Sequence, residues 1–249
     1  MSSVFRLAAT ALALASATVF PAQAAGQPDP RSILAEAQKI VARNGIDEAK
    51  AVEIGGIRQW ITVRGRDRRN PILLVLHGGP AAPDLPTRYL YESAWEDYFT
   101  VVQWDQRGSG KTFELNDPAT VGPTLSKERV VDDAEALVAY LRKTYGKRKI
   151  FVLGHSWGTA VGLELAARRP DWLYAYVGAG QMIDFAAGER ASYRWLLDEA
   201  RKAGDAQALK EITAIAPYPG PRGETPLDKL NVERKWSVHF GGLTHNRDR

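Results

Sequence analysis

Four short apolar runs, spaced between longer amphipathic segments, set the pattern of this chain. Residues 72–76, 99–104, 149–153 and 173–177 are apolar at nearly every position and read as buried strands. Residues 51–54 and 57–63 flank Gly55-Gly56 and read as a β-hairpin. Between the strands the period changes. Val130, Ala134, Leu137 and Leu141 share one face of a helix over residues 126–145, which Gly146 ends. A second helix follows residue 158, over 159–169, and stops at Pro170. Near the start, Ser32 is placed to cap a helix with Ile33, Leu34, Ala37, Ile40 and Val41 on one face, ended by Gly45. After Gly178 the pattern is helical throughout: residues 185–203, 206–215 and, past a Pro/Gly-rich break at 217–226, residues 227–240. Strands alternating with helices imply a mostly parallel sheet covered by helices on both faces. Residues 82–98 form a loop and short helix carrying Tyr89, Tyr91, Trp95 and Tyr98, either an aromatic wall beside a site or core packing.

The first residues follow another logic. Arg6 is a lone positive charge, residues 7–20 are almost wholly apolar, and Ala22-Gln23-Ala24 is a small-x-small cleavage site. This is the form of a secretory signal peptide, residues 1–24, with the mature chain starting near Ala25. The apolar stretch is too short for a stable membrane span. The expectation is an exported protein, periplasmic or secreted. The 249 residues contain no cysteine, so neither disulfides nor thiolate metal sites arise. The formal charge of +4 is spread over mixed-sign segments; the basic run 64–69 reads as a solvated loop, without the interleaved aromatic residues of a nucleic-acid platform. No pattern of metal ligands occurs, and no cofactor is implied.

The chemistry gathers at three turns. Gly154-His155-Ser156-Trp157-Gly158 lies between a buried strand and a helix, the setting in which G-x-S-x-G is a nucleophile elbow. The strand at 72–76 ends in His77-Gly78-Gly79-Pro80, and the strand at 99–104 ends in Asp105-Gln106-Arg107-Gly108-Ser109-Gly110. In this order the motifs resemble the α/β-hydrolase superfamily, and within it the prolyl aminopeptidase (proline iminopeptidase) group of serine peptidases, over roughly residues 50–240. Ala81 departs from the glycine usual in that group after HGGP, and His155 from the glycine many members have before the serine. The resemblance implies an α/β-hydrolase fold with the start of a helical cap and the last strands missing. Its divisions are a core over residues 25–182 and a partial cap over 183–249. It implies Ser156 as nucleophile, with the backbone N–H groups of Trp157 and Gly79 as oxyanion donors, Gly78 being the alternative to Gly79. His77 would order the HGGP loop, and Asp105 and Arg107 would pair to hold the next one. Glu189 would be either a solvated helix residue or a cap carboxylate meeting a substrate's α-amino group.

A serine nucleophile needs a base and an acid that orients it. In this fold the chain order is serine, acid, histidine. The histidines are His77, His155, His239 and His245, and neither acid nor base is identified. Three readings fit: a truncated hydrolase, a non-catalytic hydrolase-like binding domain, or a rearranged triad using Asp184 with His239 or His245. The first leads. The function expected is an aminopeptidase-type serine hydrolase acting on peptide N-termini and inactive alone, with an esterase as the nearest enzyme alternative. A small peptide or ester is the expected partner.

Overall fold

The computed structural model describes residues 29–87 and 90–242. The chain divides into two compact units, Met1–Lys39 and Ile40–Arg249. The segment read as a signal peptide, residues 1–24, lies outside the described residues. In the first unit the described element is helix α1 (Pro30–Ala37), with Asp29 as its cap and Pro30 at its first position. It starts before Ser32, whose hydroxyl donates to the Asp29 carbonyl at 2.7 Å. It also ends well short of Gly45. None of its residues is buried, and a short helix without a packed face has little to sustain a longer run.

The second unit opens with the expected hairpin, longer than its apolar core suggested. Strands β1 (Ile46–Ile54) and β2 (Ile57–Gly65) pair antiparallel from Ile46↔Gly65 to Ile54↔Ile57. Gly55 and Gly56 have φ of 58° and 76°, the double positive φ that a tight two-residue hairpin turn requires. The remaining strands are β3 (Ile72–Leu76), β4 (Thr100–Trp104), β5 (Ile150–His155) and β6 (Leu173–Ala179). They form one six-stranded sheet in the order β1-β2-β4-β3-β5-β6. β2 runs antiparallel to β1 and β4, while β3, β4, β5 and β6 are mutually parallel. Every position of β3 and β4 is buried, as their continuous apolar runs require.

Two short helices, α2 (Gly110–Glu114) and α3 (Pro118–Val121), lead to α4 (Lys127–Thr144), which Ser126 caps through the Arg129 N–H at 3.1 Å. Helix α5 (Trp157–Arg168) follows β5. The apolar face of α4 packs with Val161 and Leu165 of α5 on one side of the sheet, over Leu74, Leu76, Val102 and Trp104. The alternate positions Leu73, Val75 and Val101 form a smaller cluster with Trp95, Phe99, Phe151 and Leu153. Trp95 is thus packed in the core, whereas Tyr91 and Tyr98 are exposed and Tyr89 lies outside the described residues.

Helices α6 (Phe185–Ala203), α7 (Ala206–Ala214) and α8 (Leu227–His239) build a second core around Leu196, Ala200, Ala208, Ile212 and Trp236. Asp184 caps α6 and Asp205 caps α7, each accepting an N–H three residues on. Among the described residues no helix is long and apolar enough to cross a membrane.

Candidate active site

β5 ends at His155 and α5 begins at Trp157, leaving Ser156 between them at φ 50° and ψ −117°. A side-chain-bearing residue adopts such a backbone only where its surroundings enforce it. Here the Ser156 N–H donates to the Ala179 carbonyl at the end of β6, at 2.9 Å. Its carbonyl accepts from the Thr159 N–H at 2.9 Å and from the Thr159 hydroxyl at 2.6 Å. The flanking glycines are required by packing. A Cβ on Gly158 would lie 2.0 Å from the Leu76 carbonyl oxygen, and one on Gly154 would lie 2.5 Å from the Gly158 carbonyl oxygen. Helix α5 therefore presses its first turn onto the end of β3, and it begins two residues before the point the sequence pattern suggested.

The turn that follows β3 runs alongside Ser156. A Cβ on Gly78 would lie 3.2 Å from the Ser156 Cβ and 3.3 Å from Nδ1 of His155. Gly79 takes φ 118° and Ala81 takes φ 64°. Ala81 thus occupies a left-handed position that glycine adopts without strain. The Trp157 amide is first in its helix and has no carbonyl behind it to bond. The Ser156 hydroxyl has no hydrogen-bond partner among the described residues. His155 is exposed.

His77 is fully buried. Its Nδ1 is 2.8 Å from the Gly78 carbonyl oxygen, and its Nε2 accepts the Gln106 N–H at 3.2 Å, which makes it the neutral Nδ1–H tautomer. Burial pushes its pKa below the ordinary histidine value. The ring orders the turn, as expected, and does not serve Ser156. The Gln106 side chain donates to the His77 carbonyl at 3.1 Å and accepts from the Trp157 indole at 3.2 Å. An apolar cavity of about 330 Å³ opens here, walled by Pro80, Ala81, Leu125, Val130 and Trp157.

The expected Asp105–Arg107 pair is not formed. Arg107 makes a bidentate pair with Asp133 of α4, at 2.7 and 3.0 Å, and donates to the Gly55 carbonyl at 2.8 Å. Asp105 accepts the Lys111 N–H at 2.8 Å at the start of α2, and burial raises its pKa. The overlooked signal was Asp133 itself, a charge set beside Ala134 on the apolar face of α4. Glu189 is neither solvated nor free: it is buried, paired with Arg234, and accepts the Tyr218 hydroxyl. Arg234 is shared with buried Glu233, which also accepts from Ser192 and Ser237.

The rearranged triad is not assembled among the described residues. Asp184 holds the Ala187 N–H at 2.8 Å. His239 lies 3.9 Å from Asp205 and packs edge-on against Trp236 and Phe240. His245 lies outside the described residues.

Comparison with known proteins agrees with this architecture. A proline iminopeptidase-related protein from Thermus thermophilus superposes with a TM-score of 0.50 and 25% identity, over 79% of this chain and 67% of that one. The probable aminopeptidase YbaC of Bacillus subtilis is 31% identical over 208 residues, which is 83% of this chain and 63% of the relative. The putative carbamate hydrolase RutD of Enterobacter cloacae is 30% identical over 152 residues, 60% of this chain and 53% of the relative. The chain thus spans between about half and two-thirds of the length of these curated relatives. A family model for the α/β hydrolase fold matches residues 71–230, the stretch that carries all three turns and helices α6 and α7, and the chain belongs to that family.

Proposed function

We propose that this chain carries the nucleophile and oxyanion parts of a serine hydrolase that cleaves the acyl bond at peptide N-termini. The carrying observation is the backbone of Ser156, held at φ 50° between two packing-enforced glycines with Gly78 close beside it. Ser156 attacks the carbonyl. The amides of Trp157 and Gly79 receive the developing negative charge, one from the helix start and one from the turn. The apolar cavity beside Trp157 receives the substrate's apolar part. The aminopeptidase relative, matched over most of the chain, favours a peptide over an ester.

Among the described residues no histidine is hydrogen-bonded to the Ser156 hydroxyl, and the reading takes Ser156 to act without a base. Serine then keeps its weak intrinsic nucleophilicity, and the oxyanion hole and binding retain about 10³–10⁴-fold catalysis over water. Residues 25–249 should show no detectable turnover of proline arylamides, and slow, Ser156-dependent labelling by a fluorophosphonate probe. Labelling equal in Ser156→Ala would refute the nucleophile assignment. Fast labelling lost in Ser156→Ala and in either His239→Ala or His245→Ala would overturn the base-free reading, establish a rearranged triad and name its base. The reading includes export through the first 24 residues; exported protein whose N-terminal sequence starts at Met1 would contradict it.

A further inference from the structure

We infer that Gln106 is a positioning residue that holds the two halves of the oxyanion hole in register. The inference rests on the proposed function above. The two donors come from separate segments. Gly79 belongs to the turn after β3 and Trp157 to the helix after β5, and the ladder between those strands ends at Leu76↔Gly154. Beyond that pair, Gln106 bridges them from a third segment, the loop after β4.

Each polar group of Gln106 is used in a specific sense. Its side-chain N–H donates to the His77 carbonyl and its side-chain oxygen accepts from the Trp157 indole, so a single carboxamide ties turn to helix. Its backbone N–H donates to Nε2 of His77, which leaves the proton on Nδ1 to be donated to the Gly78 carbonyl. That last bond sets the donor direction. The Gly78–Gly79 peptide is trans, since the cis bonds include Gly79–Pro80 but not this one. In a planar trans peptide the carbonyl and the N–H point opposite ways. Anchoring the Gly78 oxygen toward His77 therefore turns the Gly79 N–H away from His77. Gln106 and His77 are both buried, where hydrogen bonds compete little with water. A glutamate at 106 keeps the acceptor for the indole but sets a carboxylate oxygen against the His77 carbonyl. Leucine removes both arms, and Trp157→Phe removes only the indole arm.

The test uses the full chain with Gln106→Leu, Gln106→Glu and Trp157→Phe, read by ¹⁵N–¹H spectra and by hydrolysis of p-nitrophenyl acetate. In Gln106→Leu and Gln106→Glu the Gly79 amide resonance should shift and broaden, while strand resonances such as Leu74 stay in place. The Ser156-dependent kcat should fall about 10-fold or more with KM unchanged, and Trp157→Phe should give a smaller effect. A folded Gln106→Leu protein whose indole resonance has moved while the Gly79 amide stays put would overturn the inference. So would a fall in melting temperature with kcat intact, which marks a purely structural residue. If Gln106→Leu does not fold, Gln106→Glu and Trp157→Phe decide by the same readouts. Hydrolysis that survives Ser156→Ala would sink the proposed function instead, and the Gly79 resonance would still report whether Gln106 holds the turn.

Discussion

Ser156 owes its backbone to neighbours rather than to its own preference. Gly158 admits the Leu76 carbonyl, Gly154 admits Gly158, and the Ala179 carbonyl fixes the Ser156 N–H. His77 is constrained in another way. Burial keeps it neutral and its pKa below the ordinary 6.5. As pH falls, the unfolded chain binds the proton first, so stability should be full above about pH 6.5 and decline below it. Asp105 works in the opposite sense at lower pH, because burial raises its pKa and protonation then favours the folded state. Urea unfolding at pH 7.5 and 5.5 should show a loss of stability that is reduced in His77→Asn. An equal loss in that variant would place the titrating group elsewhere.

At the scale of elements, a buried ion pair joins pieces that the sheet leaves apart. Arg107 sits in the loop after β4, Asp133 on α4, and Gly55 in the hairpin turn. Gln59 of β2 also donates to Asp133, at 2.9 Å. The two charged side chains are 1% and 0% exposed. Removing Asp133 strands Arg107 in the core and costs about 3–5 kcal/mol, whereas removing Arg107 leaves Asp133 with Arg129, whose Nε lies 3.4 Å away. Asp133→Leu should destabilise by that order in denaturant titrations, and Arg107→Leu by less. The double variant should cost clearly less than the two together, because Arg107 is then no longer left facing a missing carboxylate. Additive costs would show that the pair does not act as a unit. Each of these residues was visible in the chain, but the pairing was not, since Arg107 has Asp105 two residues away and Asp133 26 residues away.

For the whole molecule, β6 is one of the two outer strands of the described sheet, and it bonds only β5. Most of its residues are partly or fully exposed, with Tyr174 at 55% and Val177 at 52%, and Ile183 beyond it is 87% exposed. An apolar, unpaired strand edge invites pairing with another chain. Sedimentation should show association that rises with concentration and weakens in Val177→Lys. A monomer at all concentrations, unaffected by that change, would mean the edge is inert.

The strands, the α4 helix and helices α6, α7 and α8 were legible in the chain because each depends on local patterning: continuous apolar runs, a 3.6-residue period, and Asp, Ser or Gly at the ends. The G-x-S-x-G turn was legible as a motif between a strand run and a helix run, although only Gly154 answers a neighbour a few residues away, Gly158 being pressed by Leu76 of β3. Helix α1 was misjudged because an apolar stripe forms a long helix only if something covers it, and coverage is not a local property. The partners of Arg107, Glu189 and Gln106 were likewise beyond sequence reasoning. They lie 26, 45 and 51 residues away, on elements brought together only when the sheet closes. By itself the sequence determined the strands, the longer helices after them and the strand-to-helix turn on which Ser156 sits. Only the tertiary structure decided what holds that serine's surroundings in place, because buried charges and amides choose their partners by proximity in space.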